Sequence, residues 1–278
     1  MVKPNNTNTL RGGGVAESPL GATVLAPIKR LRKNFAFTLA EVLITLGIVG
    51  IVAAMVIPSL ITSIRATQYA TKYKKMLASL SNAGRISLAQ YGFDYSGLNS
   101  SCGSAGGSHT PDSKQSICAI FNATLNTLDY KYANRNDLTT PSGQHYTPRN
   151  DGILGADSMT GNTPMYTLAD GTLIILSRSL GNYICTGSSI EEVYFQRGSR
   201  SNLGSGCVGV IDVNGTAPPN KVVKCTKGRN VLPRKSNSPA FNCVVDRKDV
   251  TDIYPFIIHD GIAEPLSDAA VYVFNNIK

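Results

Sequence analysis

The sequence predicts an α+β protein in which one long N-terminal helix packs against a small antiparallel sheet. An apolar run from Phe37 to Ile64 that continues as an amphipathic helix predicts the first element. Short β-prone runs beyond residue 164, separated by turn residues, predict the second. Six cysteines, all C-terminal to the apolar run, favour loops closed by disulfides.

The apolar run is long enough to cross a membrane. No charged side chain occurs between Val42 and Ile64, a stretch longer than the roughly 20 residues that span a bilayer core. Four cations flank each side of the span, so the distribution of Lys and Arg does not decide its orientation. The cysteines do, because disulfides persist in oxidising compartments and all six lie on one side. We therefore expect a cytoplasmic N-terminus and an extracytoplasmic C-terminal part.

A cationic cluster and the small residue Ala36 come directly before Phe37, Thr38, Leu39 and Glu41. These residues resemble the prepilin processing motif of type IV pilins and type II secretion pseudopilins. In that family a dedicated peptidase cuts before the Phe and methylates the new amine. The resemblance therefore implies cleavage between Ala36 and Phe37 and N-methylation of Phe37. The chain departs from the family in having Ala36 where Gly is usual and in having a long leader of 36 residues.

The same resemblance assigns roles in assembly. Glu41 matches the family's buried acid, and Gly47, Gly50 and Pro58 fall where such subunits carry residues that loosen the helix. The implied mechanism is that Glu41 of an incoming subunit neutralises the amine of Phe37 on a neighbour. Three alternatives stay open. One is a pair within one subunit, since the two residues lie about one helical turn apart; the others are a hydrated Glu41 at the headgroups and a neutral, protonated Glu41. Pro58 is also explained by a kink tolerated in a membrane helix.

The chain is predicted to contain five segments. They are a cytoplasmic, cleaved leader (1–36), the transmembrane half of the helix (37–64), its exposed second half (65–91), a variable connecting region (92–163), and an antiparallel sheet with disulfide-closed loops (164–278). One face of the second half carries Tyr69, Tyr73, Met76, Leu77, Leu80 and Gly84 at helical spacing, so the globular part should pack there.

Local signals predict the remaining elements. A helix is expected within Ile117–Leu128, and a hairpin is expected from two β-prone runs about Asp170-Gly171. A second hairpin signal is the strand Cys207–Val213 followed by Asn214-Gly215, the pair that suits a type I′ turn. Further strands are predicted at Ile253–Ile258 and Ala270–Phe274.

Disulfides are expected between cysteines that neighbour one another in sequence. The predicted pairs are Cys102 with Cys118, Cys185 with Cys207, and Cys225 with Cys243. Reduced core thiols are the alternative, and zinc is not expected because no two cysteines have the short spacing of a zinc site.

The sequence does not indicate an enzyme. His109, His145 and His259 are scattered, and no nucleophile or phosphate-loop motif occurs. No cofactor is expected, with calcium as the one alternative. Asp212 and Asn214 alternate like oxygen ligands, and their stretch resembles the sheet region of major pseudopilins, some of which bind calcium. A tight turn at Asn214 explains the same residues without a metal.

The predicted function is that of a structural subunit of a type IV pilus or type II secretion pseudopilus in the inner membrane. Expected partners are identical or related pilin subunits, the prepilin peptidase, the inner-membrane assembly platform and membrane lipid. The alternatives are a single-span anchor for an exposed binding or adhesion domain and a DNA-uptake pilin. A cationic stretch favours the last, through Lys221, Lys224, Lys227, Arg229, Arg234 and Lys235. Nucleic acid is otherwise not indicated, because more than half of the formal charge of +9 lies in the leader.

Overall fold

The computed structural model of the protein describes residues 37–134, 137–146, 162–176, 208–228 and 242–278. The predicted leader with Ala36, the expected pair of Cys185 and Cys207, and Arg229, Arg234 and Lys235 lie outside these residues. The chain divides into two units, Met1–Val49 and Gly50–Lys278. The described helices are α1 (Leu39–Tyr91), α2 (Ile117–Thr124) and α3 (Asp268–Asn276). The described strands are β1 (Thr127–Asn134), β2 (Asn162–Leu168), β3 (Leu173–Leu176), β4 (Val208–Asp212), β5 (Ile253–His259) and β6 (Ile262–Pro265).

The six strands form one antiparallel sheet in the order of the chain, β1 to β6. The predicted hairpin about Asp170-Gly171 is confirmed, with Thr167 opposite Leu173. Gly171 takes a φ of +81°, which suits a residue without a Cβ in a tight turn. The fold is therefore the predicted α+β arrangement of a long helix and an antiparallel sheet.

The second half of α1 buries one face, as its periodicity predicts. The buried side chains there include Tyr73, Met76, Leu77 and Leu80, and alanines of the same helix are buried beside them. The ring of Tyr73 stacks on that of Tyr254 in β5, with centroids 4.4 Å apart. The face of the sheet under α1 and the opposite face form two separate clusters of buried side chains. Both faces of the sheet are thus covered, the second by loop residues such as Tyr146 and Leu266.

The predicted strand at Ala270–Phe274 is wrong, because this segment belongs to α3. The side chain of Ser267 caps the helix by accepting a hydrogen bond from the backbone N–H of Ala270. Ala270 and Val273 are buried whereas Val271 and Phe274 are exposed, which is the spacing of a helix with one packed face. The β-branched valines suggested a strand, and packing with an N-cap overrides that local preference.

The predicted hairpin at Asn214-Gly215 is also wrong. β4 pairs with β3 and β5, and β5 begins only at Ile253. Gly215 has a φ of +72°, but Asn214 does not have the positive φ that a type I′ turn also requires. The amide of Asn214 instead donates hydrogen bonds to the backbone oxygens of Ala217 and Pro218 and fixes the loop that leaves the sheet.

The sheet begins earlier than the predicted boundary at residue 164. The helix expected within Ile117–Leu128 forms as α2 but ends at Thr124, and β1 follows it at one edge of the sheet. The predicted connecting region thus supplies two regular elements. Sequence reasoning missed β1, although its signal is present: Leu128, Tyr130 and Tyr132 alternate with Asp129 and Lys131 at the period of a strand. The short strand β6 was likewise not predicted.

Two of the three expected cysteine pairs lie among the described residues. Cys102 is bonded to Cys118 with their Cα atoms 5.6 Å apart, and Cys225 is bonded to Cys243 with their Cα atoms 5.2 Å apart. The first bond joins the loop after α1 to α2, and the second joins the two ends of the segment 226–242.

Candidate assembly segment

The N-terminal end of α1 is a reciprocal capping box. The backbone N–H of Glu41 donates to Oγ1 of Thr38 at 3.2 Å, and the backbone N–H of Thr38 donates to Oε2 of Glu41 at 2.9 Å. The hydroxyl of Thr38 also donates to Oε2 of Glu41 at 3.0 Å. Helix ends leave their first N–H groups without helical partners, and this exchange satisfies two of them. Glu41 therefore has a structural role within its own chain, separate from any contact with another subunit.

The capping role of Thr38 was not predicted, although its signal is present in the sequence. Thr38 and Glu41 have the spacing of the Thr-x-x-Glu capping pattern directly before an apolar run. Phe37 precedes the helix and is 81% exposed, so the residue that cleavage would make N-terminal is accessible.

The first half of α1 presents apolar side chains to its surroundings on every side. Every Phe, Leu, Ile, Val and Met from residue 37 to residue 64 is exposed. Among the described residues α1 is the one helix long and apolar enough to cross a membrane, and its most apolar window is 0% buried. An all-round apolar helix is stable when lipid or other helices surround it. The helix with its motif fits a membrane-anchored protein.

Gly47, Gly50 and Pro58 lie within this exposed half. The helix is continuous through Pro58, and nothing lies within 4 Å of a Cβ built at Gly47 or Gly50. The glycines therefore leave open surface at which a neighbouring helix has room to approach closely.

Polar contacts supplement the apolar packing between the second half of α1 and the C-terminal domain, which consists of the sheet and the segments that connect its strands. The hydroxyl of Tyr73 donates to the backbone oxygen of Pro255 at 3.1 Å in the buried interior. The ammonium of Lys72 donates to the backbone oxygen of Val213 at 3.0 Å, and Ser81 accepts a hydrogen bond from the backbone N–H of Ala263. The domain is thus attached to this half of the helix along several turns.

Asp212, one of the two residues considered for calcium, is completely buried at the end of β4. Its carboxylate accepts hydrogen bonds from the hydroxyl of Tyr146 at 2.8 Å and from the backbone N–H of Asn214 at 3.3 Å. A second buried carboxylate, Asp252, accepts from the backbone N–H groups of Asn220 and Lys221 at 2.8 and 2.9 Å. The two acids thus tie the loop after β4 to the start of β5.

Burial raises the pKa of both carboxyl groups. For Asp212 the loss of hydration acts first and the nearby charge of Asp252 adds to it, so its pKa lies well above the usual value. For Asp252 desolvation also raises the pKa and the backbone N–H groups oppose it. The described residues contain no group of three or more His, Cys, Asp or Glu placed to hold a metal ion. A calcium site at Asp212 and Asn214 stays a prediction.

The three histidines lie in different surroundings within the described residues. His109 pairs its Nδ1 with the hydroxyl of Ser116 at 2.8 Å, and its pKa is lowered by burial and then by the charge of Lys114. His145 lies in an isolated β-bridge with Thr139. His259 lies beside acids at the β5–β6 turn. No two of them meet, so the described residues do not bring together a histidine-based catalytic group.

A comparison with family models finds the family described as the prokaryotic N-terminal methylation motif, matched by residues 31–57. Comparisons with curated proteins and with solved structures find no significant match. The matched residues include Phe37, the capping box and the first part of the apolar helix. The chain therefore carries, over residues 31–57, the N-terminal methylation signature of type IV pilins and pseudopilins.

Proposed function

We propose that the protein is a structural subunit of a type IV pilus or a type II secretion pseudopilus and that it assembles through the first half of α1. The observation that carries the proposal is the coincidence of the methylation motif with a helix whose apolar side chains are exposed all round. A filament core built from such helices would bury this surface. Lipid covers the same sixteen large side chains before assembly, so packing between the helices would rest on close van der Waals contact and not on a hydrophobic driving force.

In this proposal the prepilin peptidase cuts between Ala36 and Phe37 and methylates the amine of Phe37. Before assembly the subunit is anchored in the inner membrane, with its C-terminal domain on the extracytoplasmic side. An assembly platform then transfers it into a filament of identical or related subunits. The two disulfides among the described residues support an oxidising location for the domain. The role is structural and requires no catalytic residue.

Glu41 is the proposed assembly residue. A lone carboxylate within hydrocarbon costs about 2.5–3.5 kcal/mol on insertion scales, and an N-terminal amine on a neighbouring Phe37 would offset that cost. A single-span anchor for a binding domain explains the apolar helix but gives no reason for an acid at this position. The capping box supplies such a reason, so the experiment has to separate capping from charge.

The chain offers variants that make this separation. Glu41→Gln removes the charge but keeps a side chain that can complete the capping box, whereas Thr38→Ala removes the cap and keeps the charge. Each is expressed together with the parent protein in the native cells, and incorporation into sheared filaments is measured against the amount in the membrane. We expect Glu41→Gln to insert normally and to enter filaments poorly, Glu41→Lys to be worse, and Thr38→Ala to enter nearly as well as the parent.

The opposite pattern contradicts the charge-pairing mechanism. If Glu41→Gln enters filaments as readily as the parent while Thr38→Ala does not, Glu41 acts as a helix cap and the amine pair is wrong. Mass analysis of the same material tests processing separately. The expected N-terminus is a methylated Phe37, and an intact leader would refute the proposed cleavage.

A further inference from the structure

An open cleft with lysines on its walls lies beside the Cys225–Cys243 bond and has a volume of about 650 Å³. We call it the lysine cleft and define it by Lys221, Lys224, Thr226, Lys248, Asp249 and Thr251. One wall comes from the segment that follows the buried Asn220, and the other from the turn before β5. Two separate segments of the chain thus bring three lysine side chains to one cleft.

Covalent and hydrogen bonds fix the walls of the lysine cleft. The disulfide joins the two segments, and Lys227 and Val244 form an antiparallel bridge beside it. The hydroxyl of Thr226 donates to Oδ2 of Asp249 at 2.9 Å and accepts from the backbone N–H of Asp246 at 2.9 Å. Because the walls are held in place before any ligand arrives, little ordering is required on binding.

The charges of Lys221 and Lys248 are not balanced by the described residues of the lysine cleft. Its described lining holds three lysines and one carboxylate, Asp249, which already accepts a hydrogen bond from Thr226. Within the described ranges neither Lys221 nor Lys248 forms an ion pair. Ammonium groups that share a cleft repel one another, and an anion between them removes that repulsion.

The lining selects the chemistry of the anion. The described lining contains lysines and no aromatic ring on which a base or sugar could stack. Lysines act as point charges and commonly bind phosphate oxygens. We propose that the lysine cleft binds a phosphate group, either as free phosphate or as part of a phosphodiester strand. This inference does not depend on assembly into a filament.

The test uses the full-length protein in a neutral detergent, with ionic strength held constant by chloride within each titration and varied between titrations. Titration calorimetry measures binding of inorganic phosphate in one arm and of a short thymidine oligonucleotide in the other. The cleft variant is Lys221→Gln with Lys248→Gln. The matched control is Lys114→Gln with Lys131→Gln, which removes the same charge from exposed lysines outside the cleft. Both variants must keep the Cys225–Cys243 bond, as shown by peptide mapping.

We expect the cleft variant to bind at least about tenfold more weakly in the arm that shows binding, and the control to change by about twofold or less. Binding in the phosphate arm alone identifies free phosphate as the source. Tighter binding of the oligonucleotide, with a slope of log K against log salt near about −2 for three contacts, identifies a phosphodiester strand.

Two results overturn the proposal. The first is no binding in either arm. The second is an equal loss in the cleft and control variants, which shows that net charge and not this site attracts the anion. Neither result bears on filament entry, so the two proposals can fail independently.

Discussion

Tyr73 provides the sharpest test of how α1 carries the C-terminal domain. Its side chain is completely buried, its ring stacks on Tyr254, and its hydroxyl donates to the backbone oxygen of Pro255. Tyr73→Phe removes only the hydrogen bond. The oxygen of Pro255 keeps a second donor, the backbone N–H of Leu266, so it is not left unpaired. The expected cost is therefore the ordinary net value of about 1 kcal/mol.

Tyr73→Ala should cost far more than Tyr73→Phe. The substitution also removes the stacked ring, worth about 0.5–1.5 kcal/mol, and leaves a cavity under the helix. The total expected from large aromatic deletions is about 3–5 kcal/mol. For a domain of this size each kcal/mol lowers the melting temperature by about 2–4 °C. Tyr73→Phe should thus melt about 2–4 °C lower than the parent, and Tyr73→Ala about 6–20 °C lower.

The assay is thermal unfolding of the full-length protein in detergent, followed by near-ultraviolet circular dichroism of the tyrosines. Tyr91 gives a matched control, because it lies at the end of the same helix and is 37% exposed. Tyr91→Phe and Tyr91→Ala should change stability by about 0.5 kcal/mol or less. If Tyr73→Ala melts no lower than Tyr91→Ala, the packing of α1 on the sheet through Tyr73 is wrong.

Three further predictions follow from single positions. Gly215→Ala should destabilise the fold by about 1–3 kcal/mol more than Gly143→Ala in the same melting assay. Both glycines have a positive φ, but of the two only Gly215 would place a Cβ against a backbone oxygen, at 2.6 Å. Because the folded protein raises the pKa of Asp212, folded Asp212 binds its proton more tightly than unfolded Asp212 does. The free energy of unfolding should therefore fall as pH rises from about 4 through the raised pKa. Asp212→Asn should make the free energy of unfolding less dependent on pH, and an unchanged slope of that free energy against pH would refute this. Non-reducing peptide mapping should recover Cys185 joined to Cys207, and either one bonded to a different cysteine would contradict that pairing.

The sequence by itself predicts the elements that local chemistry dictates. The helix that begins at Leu39 follows from a continuous apolar run, and its buried face at Tyr73 and Leu80 follows from the 3.6-residue period. The β2–β3 hairpin follows from Asp170-Gly171, because a tight turn needs a residue that tolerates positive φ. The methylation signature is also local, since it consists of neighbouring residues from 31 to 57.

Only the tertiary structure decided the features that depend on distant partners. The segment at Ala270 has strand-forming residues, but its burial against the domain makes it helical. Asn214 has the chemistry of a hairpin turn, yet its amide binds the loop oxygens that follow, and β5 arrives about forty residues later. The lysine cleft could not be predicted from the sequence for the same reason. Lys221 and Lys248 line one cleft because a disulfide and an antiparallel β-bridge bring their segments together. Secondary-structure propensity and hydrophobic periodicity are set by a few neighbouring residues. Burial of a side chain and contact between distant segments are set by the packing of the whole chain.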